Sequence, residues 1–142
     1  NMNFEITLDG NKDKMIKLAT DYANVKKFAP GHIKEIKIIK QDKNHTITEE
    51  TLVFSTRLKK EIIQQTKHSK YSSNELLSEI ITGPAKGTSI KMKFQEIDNK
   101  IKVEVNCDLK LSLKAIVLKP IIKKYYKIFL TGVCYRMSME TI

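Results

Sequence analysis

From Ser89 to Leu113 the chain alternates between apolar and polar side chains almost without interruption. Ile90, Met92 and Phe94 interleave with Ser89, Lys91, Lys93 and Gln95. After Asp98-Asn99, Ile101, Val103, Val105, Cys107, Leu109, Leu111 and Leu113 interleave with Lys102, Glu104, Asn106, Asp108, Lys110 and Ser112. A period of two sends the two sets to opposite faces of a strand, one dry and one wet. Strands of this kind build an antiparallel sheet with one solvated side, and the turn between them is too short for a parallel crossover. The dry face needs a cover, and that need constrains the rest of the chain.

The tail can provide the cover. Pro120 suits the first turn of a helix. At 100° per residue, Leu118, Ile121, Ile122, Tyr125, Ile128, Phe129, Gly132 and Val133 fall in one broad stripe. Lys123, Lys124, Lys127, Thr131 and Ser138 fall opposite. This spacing predicts a helix of about 22 residues, or ~33 Å, long enough to cross a small domain.

Upstream, Phe4–Leu8 alternates as a strand, and Asp9-Gly10-Asn11 forms a turn. A helix then runs to about Asp21, capped by Asn11 or Asp13, with a second helical stretch at Ala23–Phe28 stopped by Pro30-Gly31. Further strands are expected at Ile33–Lys40, Thr46–Phe54, Leu58–Tyr71 and Glu75–Thr82, with turn-forming residues between them. The order is β-α-α-β6-α. It predicts a single α+β domain over residues 1–142, a curved antiparallel seven-stranded sheet wrapped around a long C-terminal helix.

Composition removes several classes. The two cysteines, Cys107 and Cys134, match neither a disulfide framework nor zinc-ligand spacing, and read as buried thiols in a reducing compartment. His32, His45 and His68 are scattered, so neither a metal site nor a cofactor is expected. No apolar run reaches the ~18 residues of a membrane span, and no secretory leader is recognisable. A cytoplasmic protein is expected. The net charge of +10 attracts phosphates or anionic lipid surfaces. Yet the cations are almost all lysine, with only Arg57 and Arg136, and there is no Trp, which argues against nucleic acid. Gly83-Pro84-Ala85-Lys86-Gly87 has phosphate-loop composition but lies in a hairpin with no following helix, so it reads as a turn.

The segment Asp21-Tyr22-Ala23-Asn24-Val25-Lys26-Lys27-Phe28-Ala29-Pro30-Gly31, followed by the strand Ile33–Ile39, resembles the START-related (SRPBCC) superfamily. This is the helix-grip fold of polyketide cyclases, birch-pollen-allergen relatives and ubiquinone-binding proteins, in which an Asp-Tyr-x-Asn-x-x-x-Phe-x-Pro-like segment closes the helical pair. The resemblance implies a hydrophobic cavity between sheet and long helix. Members bind lipids, sterols, quinones, polyketides or plant hormones, and a minority are enzymes. Their catalytic residues differ between subfamilies, so none is carried over.

The cavity lining is expected from inward strand positions and the helix stripe: Ile90, Met92, Phe94, Val105, Cys107, Leu109, Tyr125, Phe129 and Val133. The plainer role of each is ordinary core. Arg136 is the anomaly, because it lies five helical turns after Leu118 and so falls on the stripe. A buried guanidinium without a partner costs several kcal/mol, so it must reach a carboxylate, a ligand oxygen or water at a cavity mouth. Tyr125 could turn its hydroxyl into the cavity. Glu50, Glu61, Glu79 and His68 lie on strands whose register the sequence leaves open, and a slip of one residue turns each from outside to inside. A lone strand histidine is more often exposed.

Three functions compete. The first is non-enzymatic binding or transport of a hydrophobic small molecule. The second is a cyclase, dehydratase or hydrolase in the same cavity, which needs two titratable groups converging there. The third is a module that contacts partners or, transiently, anionic membrane surfaces through Lys91, Lys93, Lys100, Lys102 and Lys110.

Overall fold

The computed structural model describes residues 1–55 and 60–142, so the first residues of the strand expected from Leu58 lie outside the described residues. Among the described residues there are seven strands: β1 (Met2–Asp9), β2 (Ile33–Gln41), β3 (Thr46–Ser55), β4 (Lys60–Ser72), β5 (Glu75–Ile80), β6 (Ser89–Ile97) and β7 (Lys100–Asp108). Helix α1 (Lys12–Ala19) and a 3-10 helix (Tyr22–Phe28) separate β1 from β2, and α2 (Lys119–Met139) ends the chain. Every pairing is antiparallel, in the order β1-β7-β6-β5-β4-β3-β2.

Local chemistry sets the boundaries. Asn11 caps α1, its side-chain oxygen accepting from the Lys14 N–H at 2.9 Å. Asp98 and Asn99 both take positive φ, 51° and 64°, which gives the β6–β7 hairpin a turn whose twist matches its strands. Asp42 Oδ1 accepts from the Asn44 and His45 amides to close the β2–β3 turn. Breaks in register at Ile33/Glu35 and Ile38/Lys40 in β2, and at Lys70/Ser72 in β4, bend the sheet toward α2. Gly10 sits where the start of α1 meets the end of α2: a Cβ there would lie 2.9 Å from the Ser138 carbonyl oxygen, and φ is +132°. Beside it the Asn11 amide donates to Thr141 Oγ1 at 2.8 Å, and that hydroxyl donates to the Ser138 carbonyl at 2.7 Å.

Two expectations need correction. The alternation through Leu113 does not mean strand throughout. β7 stops at Asp108, and beyond it Leu113 is 91% exposed. The stripe of α2 is also turned by about one residue from the expected one. Ile122, Tyr126, Leu130, Val133, Cys134, Met137 and Ser138 are buried, while Leu118, Ile121 and Ile128 face out. Ser138 is inside because Thr141 and Gly10 close over the helix end.

The core between the dry face of the sheet and α2 falls into two groups. Met15, Phe94, Ile101, Val103, Val105, Val133, Cys134 and Met137 pack together. Cys107, Leu109, Ile122 and Tyr126 form a second group with Ile80 and Ala85. No helix among the described residues is long and apolar enough to cross a membrane.

Candidate functional site

Between the concave face and α2 lies a cavity of about 160 Å³. Strands β5 and β6 contribute Leu76, Ile80, Ile90, Met92 and Phe94, and α2 contributes Tyr126, Phe129, Leu130 and Val133. Met15 and Ala19 of α1, with Tyr22 and Val25 of the 3-10 helix, add to the lining.

One wall is polar. β3 places Thr48 and Glu50 inward, β4 places Gln64, Thr66 and His68, and β5 places Ser78. Register explains why they meet: Thr48 lies opposite Thr66, Glu50 opposite Gln64, and His68 opposite Ser78. Parity explains why they face in. Thr46, Thr48 and Glu50 share the side of β3 that carries buried Leu52, so burying Leu52 brings them with it.

The wall is one hydrogen-bonded chain. The Thr48 hydroxyl donates to Glu50 Oε2 at 2.8 Å. Having spent its proton, Thr48 Oγ1 accepts from His68 Nε2 at 2.8 Å, which leaves His68 Nδ1 to accept from the Ser78 hydroxyl at 2.8 Å. The other Glu50 oxygen accepts from the Thr66 hydroxyl and, at 3.3 Å, from the Gln64 amide. No cation pairs with Glu50 among the described residues. Burial therefore raises its pKa above the usual carboxylate range, against the pull of its three hydrogen-bond donors. His68 stacks under Tyr22 with ring centroids 4.2 Å apart, and burial lowers its pKa to about 4, so it is neutral at pH 7. Burial also pushes the Tyr22 hydroxyl up to about 12.

Of the residues expected at the site, Ile90, Met92, Phe94, Phe129 and Val133 line this cavity. Val105, Cys107 and Leu109 do not; they lie in the packed core. Tyr125 lines a smaller hollow of about 30 Å³ under β3, with its hydroxyl 3.4 Å from the Val53 carbonyl. Arg136 does not reach the cavity. It lies on the flank of α2, where its Nη1 donates to the Phe28 carbonyl at 2.9 Å, a backbone oxygen in place of the expected carboxylate, ligand or water. Leu118, the origin from which Arg136 falls on the stripe, itself faces solvent at the helix cap, so a position five turns on lies on the flank rather than the buried face. The four register-dependent groups divide. Glu50 and His68 face in, whereas Glu61 is exposed and bonded to Lys34 at 2.8 Å, and Glu79 is exposed. His68 is thus not the exposed strand histidine expected. The sequence reading missed Tyr22, Thr48, Gln64, Thr66, Ser78 and Tyr126; only for Thr48, on the same strand, did parity with Leu52 offer a signal, and the others depend on register or helix phase.

The lysines of the outer sheet face are largely answered by carboxylates. Lys91 meets Glu75 at 3.1 Å, Lys100 meets Asp9 at 3.0 Å, and Lys102 lies between Glu5 and Glu104 at 3.6 and 3.5 Å. Lys110 lies 3.7 Å from Asp108.

With this geometry in view, comparison with solved structures is decisive for the fold. The ginseng major latex-like protein 151 from Panax ginseng superposes with a TM-score of 0.78 at 10% identity, over 99% of this chain and 96% of its own. A START superfamily protein from Mycobacterium smegmatis gives 0.75 at 9% identity, over 99% and 98%. The chain has the START-type helix-grip fold. The Zhui aromatase/cyclase from Streptomyces sp. R1128 shares this START-type fold, with a TM-score of 0.73 at 8% identity over 94% of this chain and 90% of its own. No family model matches the chain, and no curated protein matches it by sequence. Identities this low bear on architecture alone.

Proposed function

We propose that the protein binds and carries a small hydrophobic molecule in the cavity between the sheet and α2, without transforming it. The observation that carries this reading is a mostly apolar hollow beside one polar wall, the usual make-up of a ligand site. Its about 160 Å³ is below the ~300 Å³ at which ligand pockets usually begin, and near the ~150 Å³ that holds a benzene ring. The guest is therefore a single ring or a short branched chain with a hydrogen-bonding group turned toward Glu50 and His68. A sterol, a tailed quinone or a full-length polyketide would need α2 to move out. Two unpaired buried thiols suit the reducing cytoplasm, which we take as its location. Native mass spectrometry and thermal shift against a panel of small phenols, indoles and short-chain acids test the reading. A ligand at about 100 times its Kd adds about 2.7 kcal/mol, several degrees at this size. No retained mass and no shift across the panel would refute it.

A second reading rests on the hydrogen-bonded wall. Glu50 and His68 are two titratable groups joined through one hydroxyl. A proton lost by the bound molecule to Ser78 can pass along the chain, Ser78 giving its own to His68 Nδ1, His68 Nε2 to Thr48 and Thr48 to Glu50, which leaves Glu50 neutral and every donor reversed. That is the equipment of an acid–base enzyme acting on the bound molecule. Deuterium exchange into a bound ligand at a carbon next to a carbonyl, abolished by Glu50→Gln with binding retained, would favour this reading.

A further inference from the structure

The 31 residues from Leu109 to Met139 hold seven of the chain's basic residues and no acidic one, which accounts for seven of the ten net positive charges. Lys114, Lys119, Lys123, Lys124 and Lys127 pair with no carboxylate among the described residues. On the outer sheet face, by contrast, Lys91, Lys100 and Lys102 pair with carboxylates, and the rest of the chain sums to three net positive charges. The unopposed charge of the molecule is thus concentrated around α2.

The same helix, with the 3-10 turn Ile116–Leu118 just before it, carries a second apolar face that nothing covers among the described residues. Val117 is 77% exposed, Ile121 58%, Ile128 53%, Tyr135 56% and Met139 52%. Their spacings of four, seven, seven and four residues place them within about 40° of one another around the axis, roughly opposite buried Tyr126 and Leu130. Leu113, 91% exposed, extends the strip beyond the helix start. From Val117 to Met139 the strip is ~33 Å long at 1.5 Å per residue.

We infer that this outer face of α2 is a docking surface for an anionic lipid bilayer, with the helix lying in the plane of the interface. Apolar side chains on one line, exposed Lys124 and Lys127 along one side of it and no acidic residue between match what an interfacial helix needs: apolar area to enter the acyl boundary and cations to meet the headgroups. Charge decides against a second copy of the chain as the occupant. Pairing α2 with α2 would set seven cations against seven with no carboxylate between them. A nucleic acid would leave the apolar strip unused. The docking surface stands whether or not the cavity is filled, since none of its exposed side chains lines the cavity.

Flotation of the full chain with vesicles of pure phosphatidylcholine, or of phosphatidylcholine with 30% phosphatidylserine, tests it. Binding is expected only to the anionic vesicles, falling at least tenfold between 50 and 500 mM salt. Lys124→Gln/Lys127→Gln should weaken it by about 30-fold, given roughly fivefold for each lysine near the surface. Val117→Glu/Ile121→Glu should abolish it while leaving the melting temperature unchanged, since both side chains are exposed. No binding to anionic vesicles, or binding indifferent to both double variants, would overturn the inference. So would a stable dimer in sedimentation that Ile128→Glu dissolves.

Discussion

His68 offers the sharpest test of the polar wall. It is packed under Tyr22 and hydrogen-bonded at both ring nitrogens, and burial lowers its pKa from 6.5 to about 4. The unfolded chain therefore takes up a proton at His68 at higher pH than the folded one, and stability falls as pH drops through the window from 6.5 to 4. The span is about 2.5 units at 1.36 kcal/mol each, or about 3 kcal/mol, a large part of the 5–15 kcal/mol expected of a domain. At this chain length it corresponds to about 10 °C in Tm. Glu50 acts with opposite sign. Its raised folded pKa means that stability declines as pH rises from the ordinary carboxylate value to the folded one. The parent profile is thus a difference of two terms. His68→Gln keeps an acceptor for Ser78 and a donor for Thr48 but cannot titrate. Urea unfolding of parent and variant at half-unit steps from pH 7.5 to 4 isolates the His68 term as the difference between the two curves. A variant that loses stability toward pH 4 as steeply as the parent would refute a buried neutral His68.

Other changes have equally definite outcomes. Glu50→Gln removes a buried carboxylate that has no cation, so at pH 7 the variant should match or exceed the parent in stability and lose the decline above the carboxylate range, as read by denaturant melts. Phe94→Ala removes a ring that is 1% exposed, and should cost about 3–5 kcal/mol in chemical unfolding while admitting larger guests. Asn11→Ala deletes the α1 cap and should cost about 0.5–2 kcal/mol, with amide exchange accelerated first in the opening turn of α1. Cys107 and Cys134 are buried, with thiol pKa values pushed up to about 11 and about 12, so neither should react with a thiol-labelling reagent at pH 8 until the chain is unfolded.

The architecture was largely legible because its signals are local. The β6–β7 alternation, the turn at Asp98-Asn99 and the switch to helical period after Pro120 all read directly from spacing. What failed was phase. With apolar residues on two faces of α2, Leu118, Ile121 and Ile128 outside and Ile122, Leu130 and Met137 inside, periodicity alone cannot say which face is buried. Tyr125 and Arg136 were misplaced for that reason, whereas Phe129 and Val133 fall within both readings. The polar wall was illegible for a different reason. Thr48, Glu50, Gln64, Thr66 and His68 are residue types that ordinarily face water, and only the cross-strand register turns them inward.

The opening strand pairs with the closing one, Met2 against Cys107 and Asp9 against Lys100, and the Asn11 amide is held by Thr141. Folding must therefore draw together segments about a hundred residues apart before the sheet is complete, which favours slow folding. Until the last helix has been synthesised and seated, the oily inner surface of the strands stays open to water and to other nascent chains. Removing the tail beyond Asp108 would yield an insoluble polypeptide rather than a smaller folded domain.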